Sequence, residues 1–536
     1  MNLFFLWSNN EKEYFVAYLI LIHTTRGGIT NSLFAEVKGI FTLNTYLDVN
    51  TFPDTPLSFN DDAGSYQWKA INTDTWNNLD NDWWMRRQDY WLLAYRKPSF
   101  LDFGFEAYND NFNLVTRWDI MQDILVNLLE PSSLKTNIPF VGCLLDLTLP
   151  RVGFVEYTTN DNSFYTSLGR RLIKWGPGSY DVQIDASQPY LDNLWVSYTT
   201  NITKKSTWKF NYNYVLVSPK FWMDYKDDYN DIYELPKTVE KTILGHKFNF
   251  YNDYVRLSFG ELANVYDKTP SLFDLSPLVI WHDGNQDDNV NVALYLSAEG
   301  KVGPVRMFGT FNMDDFDLPH ETHSNKPQAM GFSAGIEYHV FDGNPIVSDK
   351  FKREDYVLKE ATLKQDNGLN IGFEWYFVSP MMYNRREAER NGKFTIPFQF
   401  ISLVGDGYVW DYDAFYLGFK YGPNARLFKL YAEYKDSPFE ANFIAEVLTR
   451  GEYSIESSYG DRDQLDEMGV IDMMKLAGKQ TTTLILQADF AYYLEESLKL
   501  KTSLEFQQDF THKKNAFAFS IGFSCNPFFT DWKNLF

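Results

Sequence analysis

Apolar and polar residues alternate with a period of two along much of this chain. From Trp208 to Tyr214 every even position is aromatic and every odd position is polar. Because successive side chains of a strand point to opposite faces of a sheet, this spacing predicts β-strands with one apolar and one polar face. The same alternation recurs in six further segments: 332–340, 369–377, 428–434, 484–492, 498–506 and 517–523.

Turn sequences separate the alternating segments. Asp342-Gly343, Asn367-Gly368, Asn391-Gly392 and Asp406-Gly407 are dipeptides that supply the positive φ angles of tight hairpins. Strands joined by hairpins run antiparallel to their neighbours. The sequence therefore predicts an all-β protein built as an antiparallel meander.

Aromatic content favours a barrel over a sandwich. The chain contains 45 Phe, 35 Tyr and 15 Trp, or 18% aromatic residues. Transmembrane barrels use such residues in girdles at both lipid interfaces, whereas sandwich cores use more Val and Ile. The longest apolar run, Tyr14 to Ile22, is shorter than the roughly 18 residues of a spanning helix, but barrel strands span with about 9–11. We predict a large antiparallel transmembrane β-barrel, and a β-sandwich is the alternative.

Charge and cysteine content exclude other classes. The chain has 49 Lys and Arg against 71 Asp and Glu, a net charge of -22, which argues against nucleic acid as a partner. Cys143 and Cys525 are far apart and in no metal-ligand spacing, so neither a disulfide framework nor a zinc site is expected. We predict no metal and no cofactor.

The periodicity also predicts domain boundaries. Residues 37–526 are expected to form the barrel, and residues 527–536 a C-terminal tail. Three-to-four spacing of Met121, Ile124, Leu125 and Leu128 predicts a short amphipathic helix near 119–131, and the acidic stretch near 435–480 is expected to be a long loop.

The N-terminal residues 1–36 are expected to be a leader or an irregular segment. Tyr14 to Ile22 is an apolar stretch and Leu33-Phe34-Ala35 resembles the end of a leader, but Glu11 and Glu13 flank the single Lys12 in front of them. A wrong start or a damaged leader would explain this pattern. A protein that is never exported is the alternative.

One stretch, Ser167 to Gly178, resembles a known family. The residues Gly169-Arg170 followed by Trp175-Gly176-Pro177-Gly178 resemble the signature of the Wzi-like capsule-assembly outer-membrane proteins. A second stretch agrees with the same family pattern, in the order Gly260-Glu261, Pro277, His282, Asp288-Asn289 and Asp314 to Phe316.

The resemblance implies a barrel of about 18 strands with a small periplasmic helical element. It also implies a non-catalytic surface lectin that tethers exported capsular polysaccharide to the outer membrane. The expected partners are outer-membrane lipid, surface polysaccharide and the barrel-assembly machinery. Family residues that could contact the ligand are Arg170, Trp175, Glu261 and His282.

Each of these residues also has a structural interpretation. Trp175 to Gly178 could be a tight turn with an interfacial Trp, and Arg170 could pair with Glu261 across the barrel interior, where a charge needs a partner. His282 could anchor a loop by hydrogen bonds. Trp83, Trp84 and Trp222 could stack on sugar rings or serve as interface anchors.

Two other functions compete with polysaccharide attachment. A soluble carbohydrate-active enzyme would use a carboxylate pair such as Asp287-Asp288, Asp314-Asp315 or Asp411 and Asp413, although neighbouring acidic residues are frequent in so acidic a chain. A barrel with a polar lining could also be a diffusion pore, unless side chains or loops plug it.

Overall fold

A computed structural model of the chain describes seventeen stretches, and the account below is confined to them: 38–50, 99–122, 135–138, 145–146, 152–187, 191–217, 241–281, 289–315, 327–341, 357–359, 362–384, 392–404, 407–453, 474–495, 497–511, 513–525 and 528–529. The predicted leader at 1–36, Cys143, His282, Asp288, Phe316 and the tryptophans Trp83, Trp84 and Trp222 lie outside these ranges.

The protein is a closed antiparallel β-barrel of 18 strands, as predicted. Each wall strand is hydrogen-bonded to its two neighbours, and β1 closes the ring against β23. The wall strands in order are β1 (Lys38–Asn50), β2 (Leu101–Tyr108), β3 (Phe112–Gln122), β6 (Val152–Thr158), β7 (Phe164–Lys174), β8 (Leu191–Asn201), β9 (Lys209–Val217), β10 (Lys241–Tyr251), β11 (Val255–Tyr266), β12 (Val290–Val302), β13 (Val305–Asp315), β14 (Ala329–Phe341), β16 (Gly368–Val378), β19 (Ala425–Asp436), β20 (Phe439–Arg450), β21 (Thr481–Glu495), β22 (Leu498–Asp509) and β23 (Lys514–Cys525).

Five further strands lie in the connections, and a sixth follows the last wall strand. The pair β17 (Thr395–Val404) and β18 (Gly407–Tyr416) forms a separate hairpin, and β15 (Val357–Lys359) pairs in parallel with the end of β7. The remaining ones are two-residue strands: β4 (Lys135–Thr136), β5 (Leu145–Asp146) and β24 (Phe528–Phe529).

Alternation along the strands gives the barrel an apolar exterior and a polar interior. On β19 and β20, Leu430 and Phe443 are exposed on the outside, while Lys429 and Glu446 are buried inside. Such an exterior faces lipid, and the inward polar groups find partners across the lumen. Within the described residues, no helix is long and apolar enough to cross a membrane.

The two ends of the barrel differ in the length of their connections. Short turns join β2 to β3, β6 to β7, β8 to β9, β10 to β11, β12 to β13, β19 to β20 and β21 to β22. Most connections at the opposite end are longer. There are two exceptions: the short β22–β23 turn is at the long-connection end, and the long β14–β16 connection is at the short-turn end. Since outer-membrane barrels have short periplasmic turns, we assign the long-connection end to the cell exterior.

Three boundary predictions were wrong in part. Residues 119–122 continue β3 instead of starting a helix, because Ile120 and Trp118 pair with Leu101 and Phe103 of β2 and the ladder outweighs a three-to-four spacing; residues 123–131 are not described. Of the loop predicted near 435–480, residues 439–450 are strand β20. The predicted tail contains β24, which pairs with β1.

Candidate functional site in the plugged lumen

The connection between β7 and β8 folds into the barrel. Strand β7 pairs with its wall neighbours as far as Arg171, and Leu172 to Lys174 then pair in parallel with β15, which enters from the short-turn end. Residues 172–187, here called the plug, continue through the Trp-Gly-Pro-Gly motif into the lumen. Ile173, Val182 and Ile184 of the plug belong to a buried apolar cluster that also contains residues of the surrounding wall.

Trp175 is enclosed at the start of the plug. Its side chain is 2% exposed and makes edge contacts with Trp195, at 6.5 Å between ring centroids, and with Tyr295, at 6.2 Å. Lys247 of β10 donates a 2.8 Å hydrogen bond to its carbonyl oxygen. The interpretation of this motif as a tight turn with an interfacial Trp is therefore wrong. In this position Trp175 is also shielded from a glycan at the cell surface.

A glycine of the wall makes room for the plug. Gly331 of β14 faces Val182, and a Cβ atom at Gly331 would lie 2.2 Å from a methyl carbon of Val182. A Cβ atom at Gly418, in the β16–β19 connection, would lie 2.0 Å from the carbonyl oxygen of Val182. These contacts fix the middle of the plug between β14 and the connection.

Two aspartates shape the turn of the plug. Asp181 Oδ1 accepts hydrogen bonds from the backbone nitrogens of Gln183 at 2.6 Å and Ile184 at 3.0 Å, and Asp185 Oδ1 accepts one from the Asp181 nitrogen at 2.8 Å. Burial raises the pKa of Asp181 to about 6, against the attraction of Lys247, and burial also raises the pKa of Asp185. The folded barrel therefore favours the protonated form of Asp181.

Strand β16 binds the tip of the plug through Glu374. Both carboxylate oxygens accept a hydrogen bond from the Ser179 backbone nitrogen, at 3.0 and 3.1 Å. The Tyr376 hydroxyl donates to Glu374 at 2.6 Å and accepts from the Tyr180 nitrogen at 3.0 Å. Two successive backbone donors of the plug thus have acceptors from one strand.

The next contact extends to β20. The Tyr180 hydroxyl donates to Glu446 at 2.6 Å, and Lys420 donates to the same hydroxyl at 3.0 Å. Lys429 lies 3.8 Å from Glu446 and 4.6 Å above the Tyr180 ring. Tyr421 also donates to Glu446. This buried carboxylate is balanced by two lysines, as a charge out of water requires.

Arg306 of β13 connects the plug to a second inner segment, residues 362–367. The guanidinium donates to the Pro177 carbonyl oxygen at 2.7 Å and to Glu299 at 2.5 Å. Glu299 in turn accepts from the Leu363 nitrogen at 2.9 Å. Lys364 of this segment lies 2.5 Å from Glu433 and 3.5 Å from Glu337, two acidic residues of the wall.

A third inner segment, residues 379–384, meets the plug at Tyr383. This residue has a φ of 72°, a conformation that non-glycine residues rarely adopt. Asp314 of the wall accepts its backbone N–H at 3.0 Å, and its hydroxyl donates to Val182 and accepts from the Phe419 nitrogen at 2.9 Å. The strained backbone is thus held by three separate partners.

The predicted pair of Arg170 and Glu261 does not form. Arg170 lies on the outside of β7 and makes a bidentate contact with Asp192, at 3.0 Å from Nε and 2.8 Å from Nη2, near the exterior rim. Glu261 lies on the outer face of β11, 3.4 Å from His246. The alternation was misjudged because both residues were assigned to the polar inner face.

Most residues of the predicted motifs have structural partners. Gly169 has a φ of 134°, and Gly260 lies against the backbone of β10. The carbonyl of Gly178 accepts from Lys174, that of Pro277 from Tyr212, and that of Asn289 from the Tyr266 nitrogen at 3.1 Å. Gly176 packs against the Asp181 carboxylate.

The proposed carboxylate chemistry has little support in the described geometry. Asp314 accepts bonds from Asn291 and from the Tyr383 nitrogen, so it has a structural role. Strand β18 carries Asp411 and Asp413, opposite Phe400 and Phe398 of β17. Among the described residues, no group of three or more His, Cys, Asp or Glu could hold a metal ion.

Sequence reasoning missed the residues that hold the plug: Glu374, Tyr376, Arg306, Glu446 and Tyr383. Each wall residue among them follows the ordinary inward alternation, so the local pattern cannot separate it from other lumen residues. Polar residues flanked by aromatic ones, such as Glu374 between Phe373 and Trp375, mark only an inward position.

Part of the lumen wall is less enclosed. Along β21 and β22 the inward side chains of Gln487, Asp489, Lys501 and Ser503 are half-buried. Asp489 accepts from Ser503 at 2.5 Å and from Gln487 at 2.9 Å, and Lys501 donates to Tyr46 of β1 at 3.2 Å. This side of the lumen is polar and partly open to water.

A closed barrel with an apolar outer wall and a polar lumen is an outer-membrane β-barrel, and the bacterial outer membrane is its location. No protein-family model matches the sequence, and no curated protein does.

Solved outer-membrane barrels align over most of the chain at low identity. Wzi of Escherichia coli, a carbohydrate-binding β-barrel involved in group 1 capsule assembly, is 12% identical, with 92% of this chain and 85% of that chain covered and a TM-score of 0.46. OccK5 of Pseudomonas aeruginosa is 7% identical over 92% and 98%, with a TM-score of 0.40. OmpT of Vibrio cholerae with loop L8 deleted is 9% identical over 91% and 99%, with a TM-score of 0.30.

Proposed function

We propose that this outer-membrane barrel is a non-catalytic protein that attaches surface polysaccharide, as the Wzi-like resemblance of its motifs implies. The observation that supports it best is the plug, which crosses the lumen from Lys247 on β10 to Glu446 on β20. A barrel whose lumen is crossed by a tightly bonded segment suits a surface-binding role better than free diffusion. Polysaccharide is proposed as the ligand because the motif from Gly169 to Gly178 resembles that of the Wzi-like family.

The contacts of the acidic residues favour a non-catalytic role. Glu374, Glu446 and Asp314 all accept hydrogen bonds from plug, connection or wall groups. A catalytic carboxylate needs access to substrate, and these groups are buried. The proposal therefore assigns them to fold and plug stability.

The test compares retention of glycan with conductance. Purified barrel, immobilised in detergent, is incubated with polysaccharide extracted from the surface of cells that express it natively, and the same preparation is placed in planar bilayers. Polysaccharide retention without sustained conductance is the expected result. Steady conductance without retention would refute the proposal.

Arg170 provides a matched pair of variants for the same test. It is a candidate ligand residue near the exterior rim, and Lys209 is an exposed basic residue beside a short turn at the opposite end. Arg170→Ala is expected to weaken polysaccharide retention several-fold, and Lys209→Ala to leave it unchanged. Equal losses in both variants would indicate nonspecific charge attraction.

A diffusion channel is the second candidate, and one observation favours it. The half-buried polar side chains Gln487, Asp489, Lys501 and Ser503 line one side of the lumen, as in a water-filled passage. In that case Lys501→Glu would change the ion selectivity of a measurable conductance. A closed lumen would give no current in either form.

A further inference from the structure

A segment of the β11–β12 connection lies on the outside of the barrel. Residues 267–281, here called the strap, fold back over the outer faces of β9, β10 and β11. The Trp281 ring stacks on His246 of β10, at 4.4 Å between ring centroids and 13° between planes. Trp281, Leu244 and Ala263 belong to one buried apolar cluster. The strap is therefore packed onto the wall.

Hydrogen bonds join the strap to the wall. Tyr214 and Tyr212, which point outward from β9, donate to the carbonyl oxygens of Leu275, at 3.0 Å, and of Pro277. Glu261 accepts the Trp281 backbone N–H at 2.9 Å, and the Trp281 indole donates to the Asp274 carbonyl oxygen at 3.0 Å.

The strap also bonds within itself. Asp274 accepts hydrogen bonds from the Ser271 nitrogen and hydroxyl, both at 2.8 Å, and the Leu275 nitrogen donates to the Ser271 carbonyl oxygen at 3.0 Å. Irregular backbone at membrane depth is tolerated only when such groups are satisfied by protein. The bonds above provide protein partners for several backbone groups of the strap.

Apolar side chains cover the other side of the strap. Leu272 is 88% exposed, Leu278 77%, Ile280 60% and Phe273 46%. Four large apolar side chains on one short segment form a patch that water disfavours. These large apolar side chains face outward, while the Asp274 carboxylate and the Trp281 indole are buried beneath them.

Strand register places the strap at the level of the lipid-facing belt. Tyr212, which contacts Pro277, pairs with Phe248, and Phe248 pairs with Phe259. Phe259 and its neighbour Leu257 are exposed on the outer wall. Tyr212 and Phe248 each lie three residues from the short-turn end of their strand, so the apolar patch of the strap is continuous with the belt within the membrane-spanning part of the wall.

We propose that the strap is immersed in the hydrocarbon of the bilayer and that its apolar side chains bind lipid acyl chains there. The hydrocarbon covers Leu272, Leu278 and Ile280, and Trp281 covers the His246 and Glu261 pair, whose atoms lie 3.4 Å apart. An ionisable pair on a lipid-facing wall needs such a cover, because charge is costly in hydrocarbon. The strap thereby makes an apolar outer surface where the wall itself is polar.

Lipid contact can be measured at single positions in the full-length barrel in vesicles. With Cys143 and Cys525 replaced by Ser, an environment-sensitive fluorophore is attached to Leu278→Cys. The belt variant Leu257→Cys is the positive control, and Thr203→Cys in a short turn is the aqueous control. Quenching of the Leu278 label by phospholipids with brominated acyl chains is expected to reach at least half of that at Leu257. Quenching no greater than at Thr203 would overturn the proposal.

A second measurement uses the unmodified chain, so that no substitution is involved. Vesicles containing a phospholipid with a photoreactive group in its acyl chain are irradiated, and labelled peptides are identified by mass spectrometry. Labelling of residues 271–280 at a level similar to residues 255–259 is expected. Labelling of 255–259 alone, or cross-links from the strap to a second protein copy instead of lipid, would overturn the proposal.

Discussion

Glu374 on the barrel wall accepts the backbone N–H of Ser179 at the tip of the plug, with 3.0 and 3.1 Å to its two oxygens. The same carboxylate accepts the Tyr376 hydroxyl, which accepts the N–H of Tyr180. The Glu374 carboxylate therefore positions two consecutive peptide groups of the plug, one directly and one through the Tyr376 hydroxyl.

Removing this acceptor should loosen the plug. Glu374→Ala leaves the Ser179 N–H and the Tyr376 hydroxyl without their buried acceptor, which costs about 1–3 kcal/mol for each unpaired donor. We expect a lower temperature of conversion from the folded to the unfolded gel band and brief current openings in planar bilayers. Glu374→Gln keeps one acceptor oxygen and should have a smaller effect.

The matched control for this prediction is Glu495→Gln, which changes an exposed carboxylate beside a short turn. It should leave both the conversion temperature and the current unchanged. A Glu374→Ala barrel with unaltered heat stability and no current would show that Glu374 does not hold the plug.

The contact between Gly331 and Val182 predicts a compensating pair of substitutions. Gly331→Ala places a methyl group 2.2 Å from a Val182 carbon, so the plug must shift, with a cost of about 1–3 kcal/mol. Val182→Ala alone leaves a small cavity. The double variant should recover stability relative to Gly331→Ala, as measured by the conversion temperature in a double-mutant cycle.

Gly300→Ala tests whether a glycine substitution in a strand is itself harmful. Its Cβ would have no neighbour closer than 4.0 Å, so the barrel should keep its full stability. Purely additive effects of Gly331→Ala and Val182→Ala would argue against direct contact between the two positions.

Asp181 predicts a pH dependence of plug stability. Its pKa is raised from 3.8 to about 6 by burial, so the folded state favours the protonated form. This contribution is complete below pH 3.8 and is lost as the pH rises through about 6, a difference of about 3 kcal/mol. Asp181→Asn can keep the acceptor for Gln183 and Ile184 without titrating, so it should lose less stability than the native chain between pH 4.5 and 7.5.

Asp161 is the control for this measurement. It lies in the β6–β7 turn, and hydrogen bonds from Thr159 and Ser163 lower its pKa to about 2. Its stabilising contribution is present above pH 3.8 and is lost only as the pH falls towards 2, so Asp161→Asn should not alter the change between pH 4.5 and 7.5. Equal pH profiles of the native chain and Asp181→Asn would contradict the predicted role of Asp181.

Trp281 predicts how firmly the strap is attached. Trp281→Ala removes the stack on His246 and the bond to the Asp274 carbonyl, and large-to-small changes of this kind cost about 3–5 kcal/mol. Protease added to intact vesicles should cleave the strap near Leu272 and Phe273 in this variant. Trp281→Phe keeps an aromatic stack and should be cleaved more slowly; resistance of both variants would show that the strap is held by other contacts.

The fold was more predictable than the site, for a physical reason. Each strand has its own alternation of apolar and polar residues, as from Trp208 to Tyr214. The strands, their antiparallel order and an apolar exterior could therefore be predicted from short stretches of sequence. The motif at Trp175 to Gly178 was recognised, but its inward course was not, because the partners Glu374 and Glu446 are distant in sequence. Position on the inner or outer face also misled the interpretation of Arg170 and Glu261, since both lie on the outer face beside a local partner, Asp192 or His246.

The plug has a consequence for how the barrel is made. Ser179 lies 195 residues before Glu374, and Tyr180 lies 266 residues before Glu446. The hairpin of β7 and β8 can therefore form without any acceptor for the plug, and contacts over such distances form slowly. The tip of the plug must await β16 and β20, so the Ser179 N–H and the Tyr180 hydroxyl have no wall acceptor until those strands are in place. A chain that ends before β20 would therefore keep the Tyr180 hydroxyl without its Glu446 acceptor.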